Sequence, residues 1–173
     1  MSPSRLSLNF LFLFAIFTVQ EAAISRISFP ITGFSLFLAV LIGIMALEDR
    51  TGAIALGFIG GLILDLSPTS NSPVGQWALV LTIVGYVIGT NRESIGDFTT
   101  RPGAFVLFVA LATALTLLLS LILGALIGDQ SGSVGRNIIV ILGNTLWTFL
   151  FAPLFLPALS LLRNSTLTSR ERI

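Results

Sequence analysis

Hydrophobic residues are gathered into six runs along the chain, and short polar breaks separate the runs. Apolar runs of this length are typical of helices that lie in a lipid bilayer. The pattern therefore predicts an all-α integral membrane protein with six transmembrane helices in one compact bundle. The predicted spans are residues 6–24, 31–47, 51–66, 76–90, 104–127 and 138–162.

The third and fourth runs are short for membrane helices. At about 1.5 Å per residue they reach only about 24 and 22 Å, whereas the hydrocarbon core of a bilayer is about 30 Å thick. Two interpretations follow: either both helices cross a locally thinned bilayer, or they form a re-entrant hairpin. The first run could also be a signal peptide, but no small-x-small cleavage pattern follows it, which favours a retained span.

The arginines predict the orientation of the chain in the membrane. If all six runs cross and the N-terminus is cytoplasmic, seven arginines lie on the cytoplasmic side and only Arg26 and Arg136 lie on the far side. This asymmetry matches the positive-inside rule. We therefore expect a multi-pass membrane protein with both termini in the cytoplasm and residues 163–173 as a cytoplasmic tail.

Composition narrows the possible functions. The chain is 54% hydrophobic and 10% charged, with a mean hydropathy of +0.99, so a single membrane domain is expected. Its net charge is +1 and its arginines are scattered, which argues against a nucleic-acid partner. It has no cysteine and no histidine, so the commonest catalytic and metal-binding groups are missing. We expect no catalytic residues, no cofactor and no metal.

Small residues recur on one face of the third and fourth spans. In the third span Ala53, Gly57, Gly61 and Asp65 are spaced every four residues, with Gly60 beside them. The fourth span has a similar series: Ala78, Thr82, Gly85 and Gly89. Small residues at this spacing allow close approach of another helix. The series predicts either packing within the chain or a glycine-rich groove that receives a partner helix.

Asp65 is the second feature of this region, because a carboxylate in lipid costs about 2.5–3.5 kcal/mol unless it has a partner. One hypothesis is an interfacial residue that pairs with Ser67 or with backbone amides of the following turn. A second is a salt bridge to Arg26 or Arg136, the two arginines that the topology delivers to the same side. A role in ion coupling is a third hypothesis, although no second intramembrane carboxylate accompanies Asp65.

The region from Gly57 and Gly61 through Asp65, a Ser/Pro-rich turn with Gly75, and a helix with Gly85, Tyr86 and Gly89 resembles the signature region of the rod shape-determining protein MreD family. The resemblance implies a six-helix fold similar to the substrate-binding subunits of energy-coupling-factor vitamin transporters. It also implies a bacterial inner-membrane subunit of the cell-elongation complex without enzymatic activity. The implied partners are MreC, bound directly, and MreB, RodA and a class B penicillin-binding protein in the same complex of peptidoglycan synthesis.

Three functions are compatible with these features. The favoured one is a non-enzymatic subunit that binds the MreC membrane helix in the glycine-rich groove. The alternative is a substrate-binding subunit for vitamin uptake, which needs a cavity lined by convergent polar and aromatic groups. Its candidate residues are Gln20, Glu21, Asp65, Asn71, Gln76 and Trp77. A membrane hydrolase is disfavoured, because a serine nucleophile would need a histidine or lysine base and the chain has neither.

Overall fold

Six helices form the regular structure of the residues that the structure describes. The structure, a computed structural model, describes residues 3–22, 34–67, 72–91, 102–128 and 133–166. The helices are α1 (Pro3–Ala22), α2 (Leu36–Leu47), α3 (Arg50–Asp65), α4 (Gln76–Thr90), α5 (Pro102–Ile127) and α6 (Val134–Thr166). The largest differences from the sequence-based expectation are at α2, which begins at Leu36 rather than residue 31, and at α6, which begins at Val134 rather than residue 138 and includes the first residues of the expected tail.

Helix α2 lies at the centre of the bundle. Every residue from Phe37 to Ala46 is buried, and α2 contacts each of the other five helices. A helix that is apolar on all sides is stable only when other elements surround it, and the sequence of α2 has no polar residue between Leu36 and Leu47. The hydrophobic core is therefore built around α2. It includes Leu13 of α1, Leu56 of α3, Leu81 of α4 and Phe105 of α5.

Local capping interactions determine where the short helices begin. The Ser35 hydroxyl accepts a hydrogen bond from the Leu38 amide, 3.3 Å away, at the start of α2. The Asp49 carboxylate accepts one from the Gly52 amide, 3.1 Å away, at the start of α3. Such side chains satisfy amides that have no partner within the helix. The residue before α4 is Gly75, which has no side chain that could cap the helix. Its φ of 96° is a conformation that favours glycine.

Helices α5 and α6 carry the largest apolar surface. Helix α5, with 26 residues, and residues Gly135–Leu154 of α6 are each long and apolar enough to cross a membrane. Only 33% and 22% of these segments is buried within the protein. Their buried faces consist mainly of small residues, such as Ala112 and Thr116 of α5 and Ala152 of α6. Many of the larger apolar side chains of both helices are exposed, among them Leu111, Leu115 and Leu146, as expected where lipid is the solvent.

Candidate functional site

The small-residue faces of α3 and α4 lie directly against each other. A Cβ atom added to Gly57 would collide with the Leu81 carbonyl, and one added to Gly61 would collide with the Ala78 backbone. From the other helix, a Cβ atom on Gly85 would meet the Ala53 carbonyl, and one on Gly89 would meet Arg50. The start of α3 therefore lies beside the end of α4. The two helices form a closely packed antiparallel hairpin.

This packing decides between the two interpretations of the glycine pattern. Each of the four glycines contacts the backbone of the facing helix, so no partner helix can occupy the same face. The glycines serve packing within the chain. The structure therefore corrects the expectation that Gly57, Gly61, Gly85 and Gly89 form a groove for a partner helix. Their spacing indicates that some helix approaches this face, but it does not show which helix.

The remaining residues of the predicted groove have separate environments. Gly60 is buried against the Leu41 side chain of α2, not against α4. Among the described residues other than its chain neighbours, none has an atom within 4 Å of the Cβ position of Gly75, so the positive φ rather than close packing favours glycine there. Tyr86 is half-exposed near the opposite end of the hairpin, where the Arg50 guanidinium lies 4.6 Å from the centre of its ring.

Asp65 joins the two helices of the hairpin at their connected end. One carboxylate oxygen accepts a hydrogen bond from the Trp77 amide at 3.0 Å, and the other accepts one from the Ala78 amide at 2.9 Å. The side chain is 5% exposed. These amides belong to the first turn of α4, where backbone donors have no partner within the helix and the helix dipole favours negative charge. Asp65, the last residue of α3, therefore caps α4.

The capping role differs from the salt bridge that was expected for Asp65. Arg136 is exposed near the start of α6, and Asp65 makes no ion pair with any residue that the structure describes. Arg26 lies outside the described residues. The observed partners are backbone amides, as in the first hypothesis, although they belong to α4 rather than to the turn before it. Two amides of fixed geometry satisfy the carboxylate without a cation.

Further polar contacts cluster at the end of the bundle where Asp65 lies. Gln20 of α1 accepts a hydrogen bond from the Leu36 amide at 2.8 Å and donates one to the Phe34 carbonyl at 3.2 Å. The Ser67 hydroxyl donates to Glu21 at 3.3 Å. Asn144 of α6 accepts from the Ser35 amide at 2.8 Å. We call this end of the bundle, with Gln20, Glu21, Ser35, Asp65, Ser67 and Gln76, the polar end.

Two cavities open at the polar end. The first, of about 230 Å³, is lined by Gln20, Glu21 and Trp77 among others, and we call it the Glu21 cavity. The second, of about 150 Å³, lies between α4, α5 and α6, and we call it the Gln76 cavity. Trp77 and Leu117 line both cavities. Among the candidate residues for ligand binding, Gln20, Glu21, Gln76 and Trp77 thus reach a cavity, whereas Asp65 caps α4 and Asn71 lies outside the described residues.

Sequence reasoning missed two polar residues in this region. Ser120 of α5 receives two hydrogen bonds from the Gln76 amide group, and Asn144 holds the start of α2. Ser120 follows Thr113 and Thr116 on the buried face of α5. That series of small polar residues was the signal that could have indicated a buried polar contact. No comparable signal links Asn144 to Ser35, because the two residues are 109 positions apart.

The helical fold, its two segments long and apolar enough to cross a membrane, and the apolar composition together favour a membrane-associated helical protein. A family model described as rod shape-determining protein MreD matches residues 4–165 of the 173-residue chain. The chain belongs to the rod shape-determining protein MreD family. This confirms the resemblance noted from the region around Asp65.

Comparisons with curated proteins and with solved structures gave no match. The similarity to energy-coupling-factor subunits therefore stays a prediction. Membership of the family assigns the chain a role in determination of rod shape and an association with the membrane. The family is one of structural shape-determination proteins and is not a known enzyme family.

Proposed function

We propose that the chain is a non-enzymatic membrane subunit of the bacterial cell-elongation complex, which binds MreC directly and works with MreB, RodA and a class B penicillin-binding protein in peptidoglycan synthesis. The single observation that carries the proposal is the family match over residues 4–165. The proposal includes no cofactor and no metal. Its partners are proteins and lipid.

The use of the acidic side chains supports a structural rather than a catalytic role. Four acidic residues lie in the described part of the chain. Each accepts a hydrogen bond that either caps a helix or joins two parts of the chain. Glu48 accepts from Asn9 of α1 at 2.8 Å, and Glu21 accepts from Ser67. Asp49 and Asp65 cap helices. Acids engaged in this way are poorly placed to act as general bases, which need access to a substrate proton.

Because the glycine faces are closed, the MreC helix needs another surface, and we assign it to the outer face of α4. Leu79, Ile83 and Val87 are each between 40% and 51% exposed and recur every four residues, so they form one continuous apolar stripe. Helix α4 is 15 residues long, or about 22 Å, and is shorter than the hydrocarbon core of a bilayer. Association with a second helix is one way to relieve such a mismatch.

Co-purification of MreC tests this surface. Replacing Ile83 by tryptophan in the middle of the stripe is expected to reduce recovery of MreC in detergent at least tenfold, because the larger ring holds the partner helix away. The matched control is Leu115→Trp on α5, which is 59% exposed in the native chain and is expected to leave recovery unchanged.

Three outcomes separate the parts of the proposal. If the α5 variant alone loses MreC, the assigned surface is wrong while the partner stands. If the unaltered chain fails to recover MreC, direct binding is wrong. Equal recovery by both variants and the unaltered chain would place the contact elsewhere on the molecule.

We further propose that the chain crosses the membrane six times with both termini in the cytoplasm. The arginine asymmetry supports this topology. It puts the polar end outside the cell and the Arg50–Tyr86 end of the hairpin inside. The two ends of α4 are about 22 Å apart and should then differ in their access to external reagents.

Cysteine labelling with a membrane-impermeant maleimide measures the topology directly, because the native chain has no cysteine. Val74→Cys, at a position 78% exposed beside the polar end, is expected to react in intact cells. Asn91→Cys, at the opposite end of α4, is expected to react only after the membrane is permeabilised. Failure of Val74→Cys to react in intact cells would support a re-entrant hairpin instead.

Substrate binding in vitamin uptake is the second candidate function. The Glu21 cavity favours it, because amide, carboxylate, hydroxyl and indole groups converge there. Its volume of about 230 Å³ is below the range of about 300–1,000 Å³ that is typical of small-molecule sites. Shape determination is therefore preferred. Thermal stabilisation of the purified protein by one member of a vitamin panel would reverse that preference.

A further inference from the structure

Gln76, one of the residues that line the Gln76 cavity, is a buried polar residue whose hydrogen bonding is incomplete. Gln76, the first residue of α4, is 5% exposed. Its Nε2 donates to the Ser120 carbonyl at 2.7 Å and lies 3.2 Å from the Ser120 hydroxyl. Its Oε1 is buried and accepts no hydrogen bond from any residue that the structure describes. A buried acceptor without a donor destabilises the protein, so a ligand that brought a donor to Oε1 would bind with a favourable free energy.

The orientation of the Gln76 amide follows from its partner. A backbone carbonyl only accepts hydrogen bonds, so the NH₂ group must face Ser120. Oε1 is then held on the other side of the amide and cannot exchange places with the nitrogen. A ligand at this position therefore has to present an O–H or N–H group.

The wall of the Gln76 cavity also restricts the charge of a ligand. Its polar lining residues are Ser72, Gln76, Trp77, Ser120 and Asn137, and none of them is ionisable at neutral pH. A charged ligand would lose its hydration on entering the cavity and would meet no opposite charge on the cavity wall, which is strongly unfavourable. The remaining lining residues, including Leu117, Leu121 and Ile141, are apolar. The site thus suits a neutral group that has hydroxyl donors at its edge and apolar C–H faces.

We propose that the Gln76 cavity binds a neutral polyol, either the sugar headgroup of a membrane glycolipid or a small free polyol. The volume of about 150 Å³ accommodates a glycerol-sized group or one hydroxylated edge of a sugar ring. Because Oε1 is covered in this structure, binding requires a shift of the cavity wall. Trp77 is half-buried and lines both cavities, so we assign this shift to its indole.

Tryptophan fluorescence in nanodiscs tests the proposal. The chain has two tryptophans, so a Trp147→Phe background leaves Trp77 as the only reporter. Monoglucosyl diacylglycerol is titrated against diacylglycerol, which lacks the sugar, and methyl glucoside is titrated separately in solution. We expect a saturable change with at least one sugar-bearing probe and none with diacylglycerol. A response to the glycolipid alone identifies a membrane lipid, and a response to methyl glucoside identifies a free polyol.

Two variants show whether the response arises in the Gln76 cavity. Gln76→Leu removes the acceptor and is expected to weaken binding about tenfold, the effect of one lost hydrogen bond. Ile141→Phe narrows the cavity without touching the Gln76–Ser120 contact and is expected to weaken binding similarly, even if Gln76→Leu does not fold. Glu21→Gln, in the neighbouring cavity, is the control and should bind as the parent does.

Either of two results would overturn the proposal. One is the lack of a saturable change with every sugar-bearing probe. The other is unchanged affinity in Ile141→Phe, or in Gln76→Leu where that variant folds. Neither result bears on MreC binding, which concerns the outer face of α4 and has a separate test.

Discussion

Replacing Gly61 by alanine is expected to destabilise the protein severely, although the change adds a single methyl group. The new Cβ atom would collide with the backbone of Trp77 and Ala78, which cannot move aside as a flexible side chain can. Overpacking of a core usually costs about 1–3 kcal/mol, and collision with backbone belongs at the upper end of that range or above it. Unfolding in detergent, followed by tryptophan fluorescence, measures the loss.

Gly103→Ala is the matched control for this experiment. Gly103 lies in the first turn of α5, and no other described part of the chain has an atom within 4 Å of its Cβ position. The same substitution there should change stability by no more than about 1 kcal/mol, in the stabilising direction, because alanine favours helix more than glycine does. Equal stability of the two variants would contradict the close contact between α3 and α4.

Removing the carboxylate of Asp65 is expected to cost about 3 kcal/mol or more in Asp65→Ala. The substitution leaves the Trp77 and Ala78 amides without their acceptor, and a hydrogen bond to a charged group contributes about 1.5–3 kcal/mol. Asp65→Asn keeps one acceptor oxygen and should lose about 1–2 kcal/mol. The free energy of unfolding gives both values. Hydrogen exchange should accelerate at the amides of residues 77 and 78 in both variants.

Arg136→Gln distinguishes the helix cap from the salt bridge. Since Arg136 is exposed and Asp65 is satisfied by amides, this variant should change stability by less than about 0.5 kcal/mol. A loss in Arg136→Gln as large as that in Asp65→Ala would mean that the carboxylate depends on the arginine. The role of Asp65 as a cap of α4 would then have to be abandoned.

The helices themselves could be predicted closely from local patterns. The predicted fourth span, residues 76–90, coincides with α4, and the third, residues 51–66, differs from α3 by one residue at each end. Both are bounded by residues whose effect is local, such as Asp49 and Gly75. The start of α2 was less predictable, because the amides of Ser35 and Leu36 donate to Asn144 and Gln20, which lie in distant parts of the chain.

The candidate site was predicted only in part. The cost of a carboxylate in lipid identified Asp65 as important, and the glycine spacing identified a face at which another helix approaches. The sequence did not identify the group that pairs with Asp65 or the helix that meets the glycine face. Gln76 was named as a candidate cavity residue, and Ser120 belongs to a series of small polar residues on α5, but neither local pattern shows that the two residues meet, because they are 44 positions apart.

The sequence by itself determined that the chain is helical and apolar, that two of its helices need a close neighbour, and that Asp65 needs a partner. These properties follow from hydropathy, helical periodicity and the cost of burying charge, which act over a few residues. Only the tertiary structure decided that α3 and α4 are each other's neighbours and that the partner of Asp65 is the start of α4. Such choices depend on which surfaces meet in space, because several surfaces of this chain offer a helix or a donor with similar chemistry.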